Sequence, residues 1–233
     1  MSLHMEHACR PVNKVPPKRT ADCILLPVER YACPRMPQKI VVVGASTGGT
    51  DALREFLQPM PAAMNGIAIV QHLPHDYNAM LARQLQNHCA MEVRLARNGD
   101  EMRQGLVLLS PGDRHMLLHR RGSSFYVELR EGPPVRRHRP SVDVLFRSTA
   151  NCAGANAIGV ILTGMGDDGA SCMVEMRRAG ALTIAQDKKT SVVFGMPAEA
   201  IRRGGAWHTL PLPAIAPKVM AACLKMNPKM KDP

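Results

Sequence analysis

The sequence predicts an α/β fold: a doubly wound, mostly parallel sheet flanked by helices, with a small antiparallel hairpin. Three observations carry this. Residues 40–43 (I-V-V-V), 66–70 (G-I-A-I-V) and 157–162 (A-I-G-V-I-L) are short apolar runs without polar alternation, the pattern of strands covered on both faces. Each leads through a glycine-containing or polar turn into a helical segment, the order expected of parallel strands with crossover helices. Residues 115–118 and 124–129 flank R-R-G-S, a hairpin signal that interrupts the alternation.

In chain order, residues 1–38 show no sustained periodicity and contain Pro11, Pro16, Pro17, Pro27, Pro34 and Pro37. They read as a linker or irregular arm, with I-L-L at 24–26 as a docking point. His4, His7 and Cys9 read as part of that arm, not as metal ligands. The main domain spans 39–226, and 227–233 is a tail. Gly44 is expected to end the first strand. Gly48 and Gly49 permit a tight turn, and Thr50 or Asp51 caps a helix running to Leu57. The second strand ends in Q-H-L-P, followed by a helix over 77–88 with Met80, Leu81, Leu85 and Cys89 along one side. Short strands are expected at 93–96 and 106–109, then the hairpin. A basic loop, Arg136-Arg-His-Arg-Pro140, reads as a solvated surface or a contact to an acidic substrate. Ser141 caps a helix over 142–151. The strand at 157–162 runs into T-G-M-G-D-D-G, and a helix covers 170–179. A strand at 181–186, a helix at 198–203, a strand at 206–210 and a helix at 212–226 complete the chain. There is no internal repeat.

Bulk composition narrows the function. The 233 residues suffice for one large α/β domain or two small ones, and 45% are hydrophobic, enough for a sizeable core. Only 3% are aromatic, which argues against base-stacking nucleic-acid modules. The net charge of +11 is spread along the chain: seven basic against three acidic residues in the first 39, and 23 against 16 in the rest. Such a surface suits an acidic partner, or serves only solubility. Seven scattered cysteines without C-x-x-C are neither a disulfide framework nor a zinc ribbon, and point to a reducing cytoplasm. Cys89, Cys152 and Cys172 read as buried fillers. No run reaches membrane-spanning length and no signal peptide is visible.

Three strands end in polar residues on one sheet edge, where open α/β sheets bind ligands. Ser46 sits in G-A-S-T-G, which fits G-x-S-x-G. It also fits a plain glycine-rich turn. A P-loop is excluded because no G-K-[ST] follows, and the dinucleotide spacing is absent. His72 ends the second strand, and Asp167 and Asp168 follow the third. A serine hydroxyl needs an adjacent base, and the base an orienting carboxylate. The order Ser, His, Asp differs from the α/β-hydrolases, but triads are defined by geometry. A backbone-bonded histidine, and aspartates that bind Mg²⁺ or cap a helix, are the rival readings.

V-V-V-G-A-S-T-G-G-T, I-V-Q-H-L-P, P-G-D-R-H, R-P-S-V-D-V-L-F, I-L-T-G-M-G-D-D-G-A and Q-D-K-K-T-S-V-V-F-G-M-P together resemble the CheB family of chemotaxis protein-glutamate methylesterases, over residues 39–219. The resemblance implies a serine esterase of the cytoplasm that hydrolyses glutamate γ-methyl esters on methyl-accepting chemoreceptors, releases methanol, and usually deamidates receptor glutamines. It implies a triad of Ser46 as nucleophile, His72 as base and Asp168 as orienting carboxylate, with Asp167 at a variable position. Thr47 and Met165 fall where the family lines its oxyanion site, whose donors are each worth roughly 3–4 kcal/mol. It implies no cofactor and no metal. The partners are receptor cytoplasmic helices and, in a full-length protein, a receiver domain or chemotaxis kinase; nucleic acid and membrane insertion are not expected. Family members usually begin with a receiver domain. Residues 1–38 are too short for one, since about 100 residues are expected of a domain, and resemble the interdomain linker. The expectation is therefore a cut-down or naturally receiver-less chain. Leu73 stands where Met is common, a mild exchange.

Overall fold

Apolar runs with no polar face need cover on both sides, and the architecture supplies it. The fold is that of a computed structural model, which describes residues 17–28, 33–36 and 38–224. Among the described residues nine strands occur in chain order: β1 (Ile40–Ala45), β2 (Ile67–Gln71), β3 (Glu92–Leu95), β4 (Leu106–Leu109), β5 (His115–Arg121), β6 (Ser124–Arg130), β7 (Ala157–Ile161), β8 (Leu182–Gln186) and β9 (His208–Leu210). Seven form one parallel sheet in the order β3-β4-β2-β1-β7-β8-β9, and β5 and β6 pair antiparallel as the separate hairpin. The helices are α1 (Gly49–Leu57), α2 (Tyr77–Gln86), α3 (Val142–Ala153), α4 (Ala170–Arg178), α5 (Met196–Arg202) and α6 (Leu212–Leu224). One core joins α1, α2 and α6 to one face of the sheet; the other joins α3, α4, α5 and the hairpin to the opposite face. Every residue of β1, β2, β4 and β7 is buried. This is the doubly wound α/β architecture with a hairpin.

Strand order explains where chemistry belongs. From β1 the chain moves to β2 on one side of it; after β4 it returns to β7 on the other and continues outward to β9. The boundary between β1 and β7 is thus the point where winding reverses, and the carboxyl ends there form a crevice. Ser46 directly follows β1, His72 directly follows β2, and Asp168 lies seven residues beyond β7.

Several boundaries differ from the sequence reading, for traceable reasons. Gly44 does not end the first strand; it lies inside β1 and pairs with Val70 and Ile161. A Cβ there would lie 2.2 Å from Val142 Cγ1, so the glycine marks the close approach of α3 to the sheet. Neither Thr50 nor Asp51 caps α1. The cap position is Gly48, at φ 77°, and both residues lie in the first turn, where Asp51 suits the positive helix end. The helix expected over 77–88 stops at Gln86, and the one expected from 198 begins at Met196 with Pro197 in its first turn. Cys89 and Cys172 are buried, whereas Cys152 is only partly so.

The arm is docked where it is described. Arg147 pairs with Asp22 and donates to the Leu25 carbonyl at 3.1 Å; Arg130 donates to Ile24 O at 2.8 Å; Asn151 donates to Leu26 O at 3.0 Å. Ile24 and Leu25 pack against the core, while Leu26 remains 70% exposed. His4, His7, Cys9 and the tail at 227–233 lie outside the described residues.

Candidate active site

Ser46 and His72 line one cavity of about 310 Å³ together with Leu73, Pro74, His138, Arg139 and Pro140. Ser46 is fixed by its backbone. Its N–H donates to Thr163 O at 3.0 Å, and its carbonyl accepts from the Gly49 N–H at 2.8 Å and from Gln71 Nε2 at 2.8 Å. A Cβ on Gly164 would come within 2.7 Å of Ser46 Cβ, so the loop after β7 abuts the serine closely.

His72 Nε2 lies 2.8 Å from Asp168 Oδ2, with the two side chains 7% and 1% exposed. The carboxylate accepts there, so Nε2 carries the proton and Nδ1 presents the lone pair. The ring is therefore turned the other way round from the serine-protease template, in which the carboxylate holds Nδ1. Nδ1 is buried without a hydrogen-bond partner among the described residues, Ser46 included. Asp168 and His72 are engaged; the hydrogen bond between Ser46 and His72 is not closed.

Asp168 owes its place to another helix. Ser141 is the N-cap residue of α3, yet makes no side-chain cap bond. Its hydroxyl instead donates to Asp168 Oδ1 at 2.7 Å, and the Val142 and Asp143 N–H groups donate to the same carboxylate at 2.7 and 3.0 Å. Asp168 thereby caps α3 from outside, meeting two of its free N–H groups and its positive end. Burial opposes the charge, but the bonds from His72, Asp143 N–H and Ser141 outweigh it and hold the carboxyl below the ordinary range. Asp167, beside it, turns away. It pairs with Lys18 at 2.6 Å, Arg203 at 3.0 Å and Arg136 at 3.6 Å.

Thr47 and Met165 are not among the residues that line this cavity; both are exposed. Thr47 O accepts from Thr163 Oγ1 at 2.9 Å. Among the described residues, neither the Thr47 nor the Met165 N–H donates to a backbone acceptor. No group of three or more His, Cys, Asp and Glu among the described residues is arranged to hold a metal ion.

The sequence reading missed His138 as a site residue. Its ring stacks on His72 with centroids 3.7 Å apart and planes 4° from parallel. Burial, and then the neighbouring His72 charge, push its pKa down to about 4, so at neutral pH it covers the His72 ring as an uncharged ring. The loop that presents it is held in an uncommon conformation: Arg136 and Arg137 have φ of 50° and 71°. Such backbone persists where surroundings over-determine it. Arg136 is bonded to Asp143 at 3.1 Å, to Ser171 at 2.9 Å and, through its N–H, to Arg19 O at 2.9 Å. The available signal was a histidine just before the Pro-Ser that opens α3.

Residues 41–219 match the family model described as CheB methylesterase. The chain belongs to the CheB methylesterase family. A protein-glutamate methylesterase/protein-glutamine glutaminase of Anaeromyxobacter dehalogenans is 55% identical over 206 residues, covering 88% of this chain and 57% of that protein. One of Geobacter metallireducens is 54% identical over 211 residues, covering 91% and 59%. The chain thus spans little more than half the length of these relatives. The crystal structure of the Thermotoga maritima CheB methylesterase catalytic domain superposes with a TM-score of 0.77 at 35% identity, covering 79% of this chain and 98% of that one. This CheB-family chain thus shares the catalytic-domain fold.

Proposed function

We propose that this chain is a serine hydrolase that cleaves glutamate γ-methyl esters, and deamidates glutamines, on the cytoplasmic helices of methyl-accepting chemoreceptors. The single observation that carries the reading is the His72–Asp168 pair, whose Nδ1 has no hydrogen-bond partner among the described residues and whose histidine lines the same cavity as Ser46. The names of the relatives agree with it.

In this reading Ser46 Oγ attacks the ester carbonyl and His72 Nδ1 takes its proton. The Thr47 and Met165 N–H groups receive the developing oxyanion. Collapse expels methoxide, which His72 protonates to methanol, or ammonia from a glutamine. Water, deprotonated by His72, then attacks the acyl-enzyme and releases glutamate and free Ser46. Asp168 holds Nε2–H and stabilises the imidazolium throughout. The reaction is placed in the cytoplasm because the proposed substrate helices are there; among the described residues no helix is long and apolar enough to cross a membrane. The basic surface suits an acidic receptor helix.

Methanol release from methylated receptor membranes, compared between this chain and Ser46→Ala, tests the proposal. Release by the parent that vanishes in the variant supports it. Release that survives the substitution, or none from the parent, overturns it.

A further inference from the structure

β2 ends in Gln71, immediately before His72, and its side chain is 1% exposed. Its Nε2 donates to Ser46 O at 2.8 Å and to His72 O at 3.2 Å. One carboxamide therefore bridges the backbone carbonyls of the candidate nucleophile and the candidate base. The two carbonyls fix its orientation: turned over, Oε1 would face two acceptors. Yet in this orientation Oε1 is buried with no hydrogen-bond partner among the described residues. An unpaired buried acceptor is a cost that native structures rarely retain without a reason.

The rest of the elbow is shaped around this amide. A Cβ on Gly49 would lie 2.1 Å from Gln71 Oε1, and 2.9 Å from Ala45 Cβ. Gly49 does not adopt a positive φ, so space, not backbone conformation, dictates glycine there. Gln186 provides the contrast at the end of β8. It uses both ends of its amide, accepting from Thr163 N–H at 2.7 Å and donating to Thr190 O at 2.8 Å. Gln186 is a satisfied clamp; Gln71 spends both hydrogens on the site and leaves its oxygen unpaired.

We infer that Gln71 is a positioning residue for the proposed reaction, setting Ser46 against His72 by tying their backbones to one rigid amide. The inference rests on the hydrolase reading above. Proton transfer and attack both require Ser46 Oγ close to Nδ1 and to the substrate carbonyl, and small misplacements are expensive in rate. The tie touches neither substrate nor reacting atom, so its loss acts on kcat, not on binding.

The test is Gln71→Met, close in volume and without the amide, beside Gln71→Glu, which keeps acceptors but loses both donors. Three readouts are taken on each: methanol release from methylated receptor membranes, the rate of Ser46 modification by a small organophosphonate, and Tm. The expected result for Gln71→Met is a kcat about ten- to a hundredfold lower, KM within about twofold, equally slowed phosphonate modification, and a Tm only slightly lowered, since two hydrogen bonds are lost but the unpaired Oε1 is removed with them. Gln71→Glu gives the same kinetic loss with a lower Tm. A kcat and modification rate within about twofold of the parent overturn the inference while leaving the hydrolase reading intact. A Tm that falls in Gln71→Met in step with kcat shows a merely structural residue and also overturns it. If the parent neither releases methanol nor reacts with the phosphonate, the hydrolase reading fails and takes this inference with it.

Discussion

Ser141→Ala isolates one contact of the carboxylate that the proposed mechanism depends on. The hydroxyl is buried and donates at 2.7 Å to Asp168 Oδ1. A hydrogen bond to a buried charge contributes about 1.5–3 kcal/mol, and the alanine leaves no replacement donor. The loss should depend on pH. Asp168 is held below the ordinary carboxylate range in the fold, so its contribution is fully present above the unfolded value of about 3.9 and is lost as pH falls through the folded value. The stability gap between parent and variant is therefore about 1.5–3 kcal/mol at pH 7 and narrows only as pH falls below the unfolded value and through the folded one. Urea unfolding at neutral and acid pH, with m compared to confirm a two-state reading, measures it. Turnover falls without vanishing, because the Val142 and Asp143 N–H groups and His72 still hold the carboxylate. A gap that never narrows as pH is lowered to the point of acid unfolding, or none at pH 7, refutes the account of how Asp168 is kept charged.

Two further outcomes follow from groups around the site. His138→Leu keeps a cover over His72 but removes a titrating ring. With a folded pKa of about 4 against about 6.5 unfolded, the native state binds fewer protons than the unfolded chain between those values. The parent therefore loses stability as pH falls through that window, by about 1–2 kcal/mol after discounting for the ring's partial exposure. The variant shows a shallower decline in unfolding curves at pH 7 and 4.5, and an unchanged slope would exclude the stacked, neutral ring. Arg147→Met removes a 6%-exposed guanidinium bonded to Glu175 at 2.6 and 2.9 Å and to Leu25 O. It leaves Glu175 unpaired at a cost of about 3 kcal/mol and frees the arm to earlier proteolysis. Adding Glu175→Met restores part of that stability; no restoration would mean that the pair is not what Arg147 holds together.

The sheet was legible because its strands are covered on both faces, and that alone makes a run such as I-V-V-V. The same pattern is silent on boundaries set by distant contacts. Gly44 reads locally as a stop, yet it is a glycine because Val142, 98 positions away, rests on it. Ser46, His72 and Asp168 were legible as polar ends of buried strands. Their supports were not. Ser141 looks like an ordinary cap, and only the fold shows its hydroxyl given to Asp168. His138 is hidden in a run of arginines, because charge dominates a local reading of R-R-H-R. Its stacking depends on a loop bent through two residues of positive φ, which no propensity favours.

Two buried aspartates, bonded to each other through one N–H group, show why the supports matter more than the residue type. Asp143 is buried, lies beside the Asp168 charge, and has Arg136 and the Cys172 N–H as partners. Burial and Asp168 win, and its pKa is pushed up to about 6. Asp168 is no less buried, but it collects His72, a hydroxyl and two N–H groups at the start of α3, and is held down. Exchanging those partners would exchange the behaviour. An aspartate without them has its pKa pushed up, as Asp143 does, and would hold its charge less firmly beside an imidazolium on His72. The N-terminus of α3 therefore does two things with the same donors. It obtains its cap from Asp168, and it keeps Asp168 in the charge state that the proposed role of His72 as base requires.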